Sequence, residues 1–175
     1  MQKIFMSACL LGRRVRYDAQ ALPLSHSLVE QWIARGQVIS MCPEVDAGMS
    51  IPRAPAEIVK TEGTAALAKS VMVVENKGLD VTAYFIKGAH MALDLCKKHH
   101  IKVAVLTENS PSCGSSAIYD GSFSGKKIDG VGVTAALFKD NGIAVFSQHQ
   151  LDSADRALQR IGGQGQVFKR LGCKV

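Results

Sequence analysis

The chain has 175 residues and five cysteines, is 47% hydrophobic and 21% charged, and carries a formal net charge of +6. That composition suits one α/β domain with a full core, and its apolar runs are too short to cross a membrane. The charge permits a tRNA or other anionic partner without arguing for one, because the basic residues are dispersed and no RNA-binding signature accompanies them.

Lys3 to Ala8 is apolar and alternating enough for a first strand. Nothing around Met1–Met6 has the form of a secretory signal, so a cytoplasmic location without membrane contact is expected. In a reducing cytosol, cysteines read as ligands, catalysts or core residues before disulfides. Cys9 follows the strand at once, and Arg13, Arg14, Arg16, Tyr17 and Asp18 form a polar cluster on the loop beyond it. Arg16 and Asp18 can make a local ion pair of little worth at a surface. Their place past a strand end reads instead as a rim that orients a polar heterocycle.

Ser27 to Arg35 has helical spacing, with Ser25 or Ser27 as cap, Gly36 as stop and Trp32 on the core stripe. Gln37 to Met41 is a second strand, again followed at once by a cysteine, Cys42, and ended by Pro43. The stretch from Glu44 to Pro55 reads as a stiff loop. It offers Glu44 as an acid/base group beside whatever Cys42 binds, and Arg53 as a charge partner. Glu57–Lys60 and Ser70–Glu75 bracket Thr61–Thr64 as a hairpin. Asp80 caps a helix from Val81 to His99 whose Cys96 lies on the apolar side as a packing residue.

Ile101 to Leu106 is a buried parallel strand, and the polar stretch Thr107–Ser116, with Cys113 at its centre, lies just past its end. Residues 117–130 read as a long ordered loop and contain no P-loop motif. A helix at Val131–Lys139, a strand at Ile143–Phe146 and a helix at Asp152–Ile161, capped by Asp152 or Ser153, complete the chain. The glycines from Gly162 onward weaken structure, and Cys173 has no fixed role. The expected fold is a single Rossmann-like α/β domain, residues 1–175, with a mainly parallel sheet flanked by helices.

Cys9, Cys42 and Cys113 each follow a predicted strand, and parallel strand ends meet in one crevice. Three thiolates converging there are unfavourable unless a cation joins them, and soft thiolates select zinc, copper(I) or iron–sulfur clusters. No histidine lies in the three loops, and the paired spacing of a closed zinc site is missing. Three cysteines suit a [4Fe-4S] cluster with one iron left open, against the commoner count of four. An open iron can act as a Lewis acid toward a substrate atom. A non-catalytic zinc or cluster module that binds RNA is a second reading. A cysteine hydrolase is a third, and it would need one of the five histidines nearby.

Met6-Ser7-Ala8-Cys9-Leu10-Leu11-Gly12, Val15-Arg16-Tyr17-Asp18, Cys42-Pro43-Glu44, Pro52-Arg53, Ser110-Pro111-Ser112-Cys113-Gly114 and Tyr119-Asp120-Gly121-Ser122-Phe123 together resemble the DUF523 family, which contains the thiouracil desulfidases. The resemblance runs from about Met6 to Gln150. It implies a [4Fe-4S] cluster on Cys9, Cys42 and Cys113 and a non-redox exchange of thiocarbonyl sulfur for oxygen. The implied partner is a small thiolated pyrimidine, and no redox partner is needed. A thiouridine nucleoside or thiolated tRNA is the alternative substrate. Glu44 is then the candidate base, Ser110 the candidate proton relay with Ser112 next, and Arg16, Tyr17, Asp18 and Arg53 the substrate-binding set. Ala19 departs from the pattern, standing where glycine is expected.

Overall fold

The computed structural model describes residues 1–60 and 71–170. Along the chain come β1 (Ile4–Ser7), α1 (Ser27–Ala34), β2 (Val38–Met41), α2 (Pro43–Asp46), β3 (Ala56–Lys60), β4 (Val71–Glu75), α3 (Thr82–Lys98), β5 (Val103–Leu106), β6 (Ala117–Tyr119), β7 (Lys127–Asp129), α4 (Val133–Asp140), β8 (Ala144–Ser147) and α5 (Leu151–Arg170). Four of the strands form one parallel sheet in the order β2-β1-β5-β8. Every residue of β1 and β5 is buried, as central strands covered on both faces require. This is the expected Rossmann-like α/β arrangement. The chain first steps outward from β1 to β2 and later returns to the other side of β1 as β5. The switch point, where such folds place ligands, therefore lies between β1 and β5.

Alternate residues of the strands feed two cores. Ile4, Met6, Val103 and Val105 pack with Val29 and Trp32 of α1 and Leu158 of α5. Phe5, Ala104 and Leu106 pack with Ala92, Leu93 and Cys96 of α3 and Phe138 of α4. Each large side chain fully buried in this way contributes about 1.5–3 kcal/mol relative to exposure. Trp32 and Cys96 are core residues, as expected, and the Trp32 indole N–H donates to Asp155 at 3.0 Å. Among the described residues, no helix is long and apolar enough to cross a membrane.

The differences from expectation have local causes. The cap of α1 is His26, whose Nδ1 accepts from the Leu28 N–H at 3.2 Å; neither serine does so. Asp80 does serve the first turn of α3, accepting from the Thr82 N–H at 2.8 Å, but one residue outside the cap position. Pro43 does more than stop β2. It opens α2, so Glu44 sits on a helical turn and not in a loop. Residues 117–130 form a hairpin, β6 against β7, whose three-residue strands are hidden by the glycine- and serine-rich turn between them. α5 begins at Leu151, with the Ala154 N–H on Gln150, and runs on to Arg170. Its glycines weaken a helix already nucleated without stopping it. The Thr61–Thr64 turn and Cys173 lie outside the described residues.

The loop carrying Cys113 is pinned from two sides. The first turn of α4 donates to it: Gly132 to Gly114 at 2.8 Å, Val133 to Pro111 at 2.9 Å and Thr134 to Ser112 at 2.8 Å. A side chain on Gly132 would stand 2.5 Å from the Ser112 carbonyl carbon, so the approach requires glycine. On the other side, the Glu108 carboxylate accepts from the N–H groups of Ser115, Ser116 and Ala117 at 3.0, 2.9 and 2.8 Å, and from the Ser115 hydroxyl. Partial burial pushes Glu108 up, but these bonds outweigh it and hold the carboxyl below its ordinary value.

A group held low in the fold stabilises it above its ordinary pKa, 4.5 here, and loses that contribution as pH falls through the folded value. Glu108→Gln should therefore melt lower than the parent at neutral pH, with the gap narrowing as the pH of a melting series falls below 4.5; a constant gap would refute the assignment. Ala19 adopts φ +58°, the left-handed region that glycine enters freely. Ala19→Gly should raise stability by up to about 1 kcal/mol after the unfolded-chain entropy is counted. That corresponds to a melting temperature about 2–4 °C higher.

Candidate functional site

Each of the three cysteines is presented by a different local device. After β1 the chain makes a 3-10 turn over Ala8–Leu11, closed by Gly12 at φ +85°, which folds Cys9 back over the strand end. After β2, Cys42 occupies the cap position of α2, and its N–H donates to Asp46 at 3.0 Å. α3 approaches this turn closely because Gly88 faces the Pro43 carbonyl where any Cβ would collide. After β5, the Ser110 hydroxyl oxygen accepts from the N–H groups of Ser112 and Cys113, both at 3.1 Å.

These devices bring all three sulfurs to one cavity of about 460 Å³ at the carboxyl ends of β1, β2 and β5. Burial pushes Cys113 far up, with further lift from the charges of Glu44, Cys9 and Cys42. Burial also pushes Cys42 up to about 11, aided by Glu44 and Cys9. Cys9 is raised by burial despite its bond to Thr107 and the charge of Arg16. The three thiols thus feel one another and stay protonated until a cation takes the place of their protons. Among the described residues, no three His, Cys, Asp or Glu side chains are drawn together tightly enough for one metal ion. A tetrahedral ion gathers its sulfurs at about 2.3 Å each, whereas an iron–sulfur cluster takes each thiolate on a different iron. An all-sulfur donor set on a concave site fits the second case.

Two hydroxyls support the sulfurs. Thr107 Oγ1 lies 3.0 Å from Cys9 Sγ, and the Ser7 hydroxyl donates to Cys113 Sγ at 3.5 Å while accepting from the Thr107 N–H at 3.2 Å. Glu44 and Arg53 form an ion pair on the cavity wall, with Arg53 Nε donating to the carboxylate at 3.0 Å. The Arg53 side chain is 5% exposed, and its terminal nitrogens also donate to the Val15 and Ser50 carbonyls. Arg53, expected both as a charge partner and in the substrate-binding set, is paired with Glu44 here.

Arg16, Tyr17, Glu44, Arg53 and Ser110 all line the cavity. Asp18 does not: it lies 3.7 Å from Arg16 and accepts from the Gln20 N–H at 3.0 Å. Ser112 is fully buried behind the loop, its hydroxyl 2.8 Å from that of Thr134. Sequence reasoning gave no role to Ser7, Thr107, Glu57 and Phe123, which also line the cavity. The signal for the first two was their position at the ends of the two strands that flank the switch point. Glu57 and Phe123 arrive from hairpins outside the main sheet; Phe123 stands in the Tyr119–Phe123 motif, and Glu57 left no comparable signal.

A family model described as 2-thiouracil desulfurase matches residues 4–150. YbbK of Bacillus subtilis (strain 168) is 41% identical over 152 residues, which span 85% of this chain and 97% of YbbK. The solved structure of the [4Fe-4S]-dependent thiouracil desulfidase TudS (DUF523Vcz) is 44% identical, with a TM-score of 0.82 over 91% of this chain and 99% of that one. With that match running from β1 past β8, through the three strand-end cysteines and the Glu44–Arg53 pair, the chain belongs to the 2-thiouracil desulfurase family.

Proposed function

We propose that this protein is a [4Fe-4S]-dependent thiouracil desulfidase, built as one domain, that converts a thiocarbonyl to a carbonyl. One water enters, sulfide leaves, and no electron transfer or redox partner is needed. The observation that carries the reading is the convergence of Cys9, Cys42 and Cys113 on a single cavity whose wall holds a buried Glu44–Arg53 pair. The [4Fe-4S] dependence named for the TudS neighbour supports it. Thiolate ligands belong in a reducing compartment, so we assign the protein to the cytoplasm.

Cys9, Cys42 and Cys113 would hold three irons of the cluster. The bound cluster supplies a soft Lewis acid for the thiocarbonyl sulfur at its remaining iron. Glu44 acts as general base, taking a proton from the water that adds to the ring carbon. Arg53 fixes that carboxylate by its hydrogen bonds, so the base is oriented before substrate arrives. We choose Ser110 over Ser112 as the second proton-handling group. Ser110 faces the cavity and its oxygen accepts two N–H bonds, which leaves its O–H to donate to the substrate; the Ser112 hydroxyl is engaged by Thr134. Arg16 and Tyr17 meet the heterocycle's polar edge, with Asp18 acting through Arg16.

Replacing Cys9, Cys42 or Cys113 by serine should strip iron from anaerobically purified protein, while Cys96→Ser and Cys173→Ser should keep it; equal iron in all five variants defeats the assignment. Glu44→Gln should retain iron yet lower kcat for sulfide release by roughly 10²–10⁴-fold, and an unchanged kcat removes Glu44 from the mechanism. The same assay run with a thiouracil, a thiouridine and a thiolated tRNA identifies the substrate class. Added salt should weaken only the tRNA reaction.

A further inference from the structure

The outer wall of the cavity is formed by two hairpins that are not part of the main sheet. Glu57 on β3 is 7% exposed, and its carboxylate reaches across to the turn between β6 and β7. There one oxygen accepts from the Gly121 N–H at 2.9 Å and the Phe123 N–H at 3.1 Å. The turn presses so closely on β3 that a Cβ on Gly121 would lie 2.9 Å from the Ile58 carbonyl oxygen. Within the turn, the Ser122 N–H donates to Asp120 at 3.0 Å and the Asp120 N–H donates to Lys126 at 3.1 Å. These bonds hold Phe123 at φ +57°, and Phe123 and Glu57 both line the cavity.

A bulky aromatic residue with left-handed backbone is an outlier, and glycine or asparagine at position 123 would relieve the strain. Strain of this kind persists only where the surroundings enforce it, and it gathers at functional sites. Here the enforcing group is a buried carboxylate that makes both bonds of one oxygen to one turn. The chemical need is also visible. Glu44, Ser110 and Arg16 offer polar atoms suited to a ring's edge, but a flat heterocycle also needs a surface for its face. We propose that Phe123 is the platform on which the substrate's ring stacks and that Glu57 is the positioning residue that holds it there. This rests on the desulfidase reading only for the identity of the ring; the platform itself is a statement about pyrimidine binding.

The test uses cluster-loaded protein and four readouts: iron content, melting temperature, uracil binding by calorimetry, and KM and kcat for sulfide release from thiouracil. Phe123→Gly should keep iron, melt at or above the parent temperature, and weaken uracil binding and raise KM by roughly tenfold, with kcat changed much less. Phe123→Tyr, which keeps the flat face, should restore parental binding. Glu57→Ala should match Phe123→Gly in uracil binding and KM while melting below the parent, because two N–H groups lose their acceptor, and Glu57→Gln, which still offers an accepting oxygen, should lie between it and the parent. A Phe123→Gly protein that melts lower, or that binds uracil as tightly as the parent, overturns the proposal. Uracil binding that depends on Phe123 without sulfide release from any thiolated pyrimidine sinks the desulfidase reading alone. Sulfide release with Phe123-independent uracil binding sinks the platform alone, and a parent that does neither sinks both.

Discussion

Three sulfurs that repel one another once ionised are held within a single buried space, and most of the surrounding structure answers that demand. Burial raises all three thiols, so the site is at rest only when they are protonated or when a cation replaces the protons. Such a site cannot be kept together by attraction among its own members. The backbone must do it. Hence the carbonyls of the Cys113 loop accept from the first turn of α4, Gly132 and Gly88 permit approaches that a Cβ would block, and the Glu108 carboxylate gathers three N–H groups and a hydroxyl. The constraints lie outside the cavity, and the sulfurs inherit their places from them.

The polar wall follows a related logic. Glu44 and Arg53 are both largely buried, and Arg53 directs its remaining donors at backbone carbonyls. A pair of this kind contributes little net stability, but removing one partner leaves an uncompensated buried charge worth about 3–5 kcal/mol. The pair therefore fixes a carboxylate on the cavity wall more than it braces the fold. Ser7 and Thr107 complete the wall from the strand ends, where their hydroxyls lie under Cys113 and Cys9. Hydrogen bonds to cluster-ligating sulfurs are among the features that set cluster properties. The Cys42 thiol donates to the Val15 carbonyl at 3.8 Å and meets the backbone of Val45, and it lacks an equivalent hydroxyl among the described residues.

The parts of this design that depend on short-range pattern were legible in the sequence. Apolar runs ending in a cysteine at 9 and 42, and one just beyond the run at 101–106, were enough to infer a parallel sheet with sulfur at its carboxyl edge. Ala19 was visible as an irregularity, and its left-handed backbone gives the reason glycine suits that position. What did not show was any relation carried by tertiary approach. Ser110 is ranked before Ser112 in the sequence without a packing reason, and the contact of Ser112 with Thr134 of α4 supplies one. Glu44 reads as a loop acid until Pro43 is seen to start a helix. Arg53 could be read from the sequence as a charge partner, but its further donation to the Val15 and Ser50 carbonyls could not. The hairpin at 117–130 escaped because three-residue strands carry almost no alternation to detect.

The chain divides its labour accordingly. The end of the parallel sheet sets the sulfurs, and its geometry leaves little freedom, since each loop is fixed by several backbone bonds. The two hairpins meet each other through Glu57 and the 121–123 turn, outside that framework, and they bear on the cavity from the far side. β3, β4, β6 and β7 belong to sheets separate from the main one, and β6 is tied to the Cys113 loop only at its start, through the Ala117 N–H on Glu108 and the Asn109–Ile118 bridge, which leaves the 121–123 turn at the end farther from the cysteine. The buried Glu57 carboxylate is the joint at which the adjustable wall is made firm.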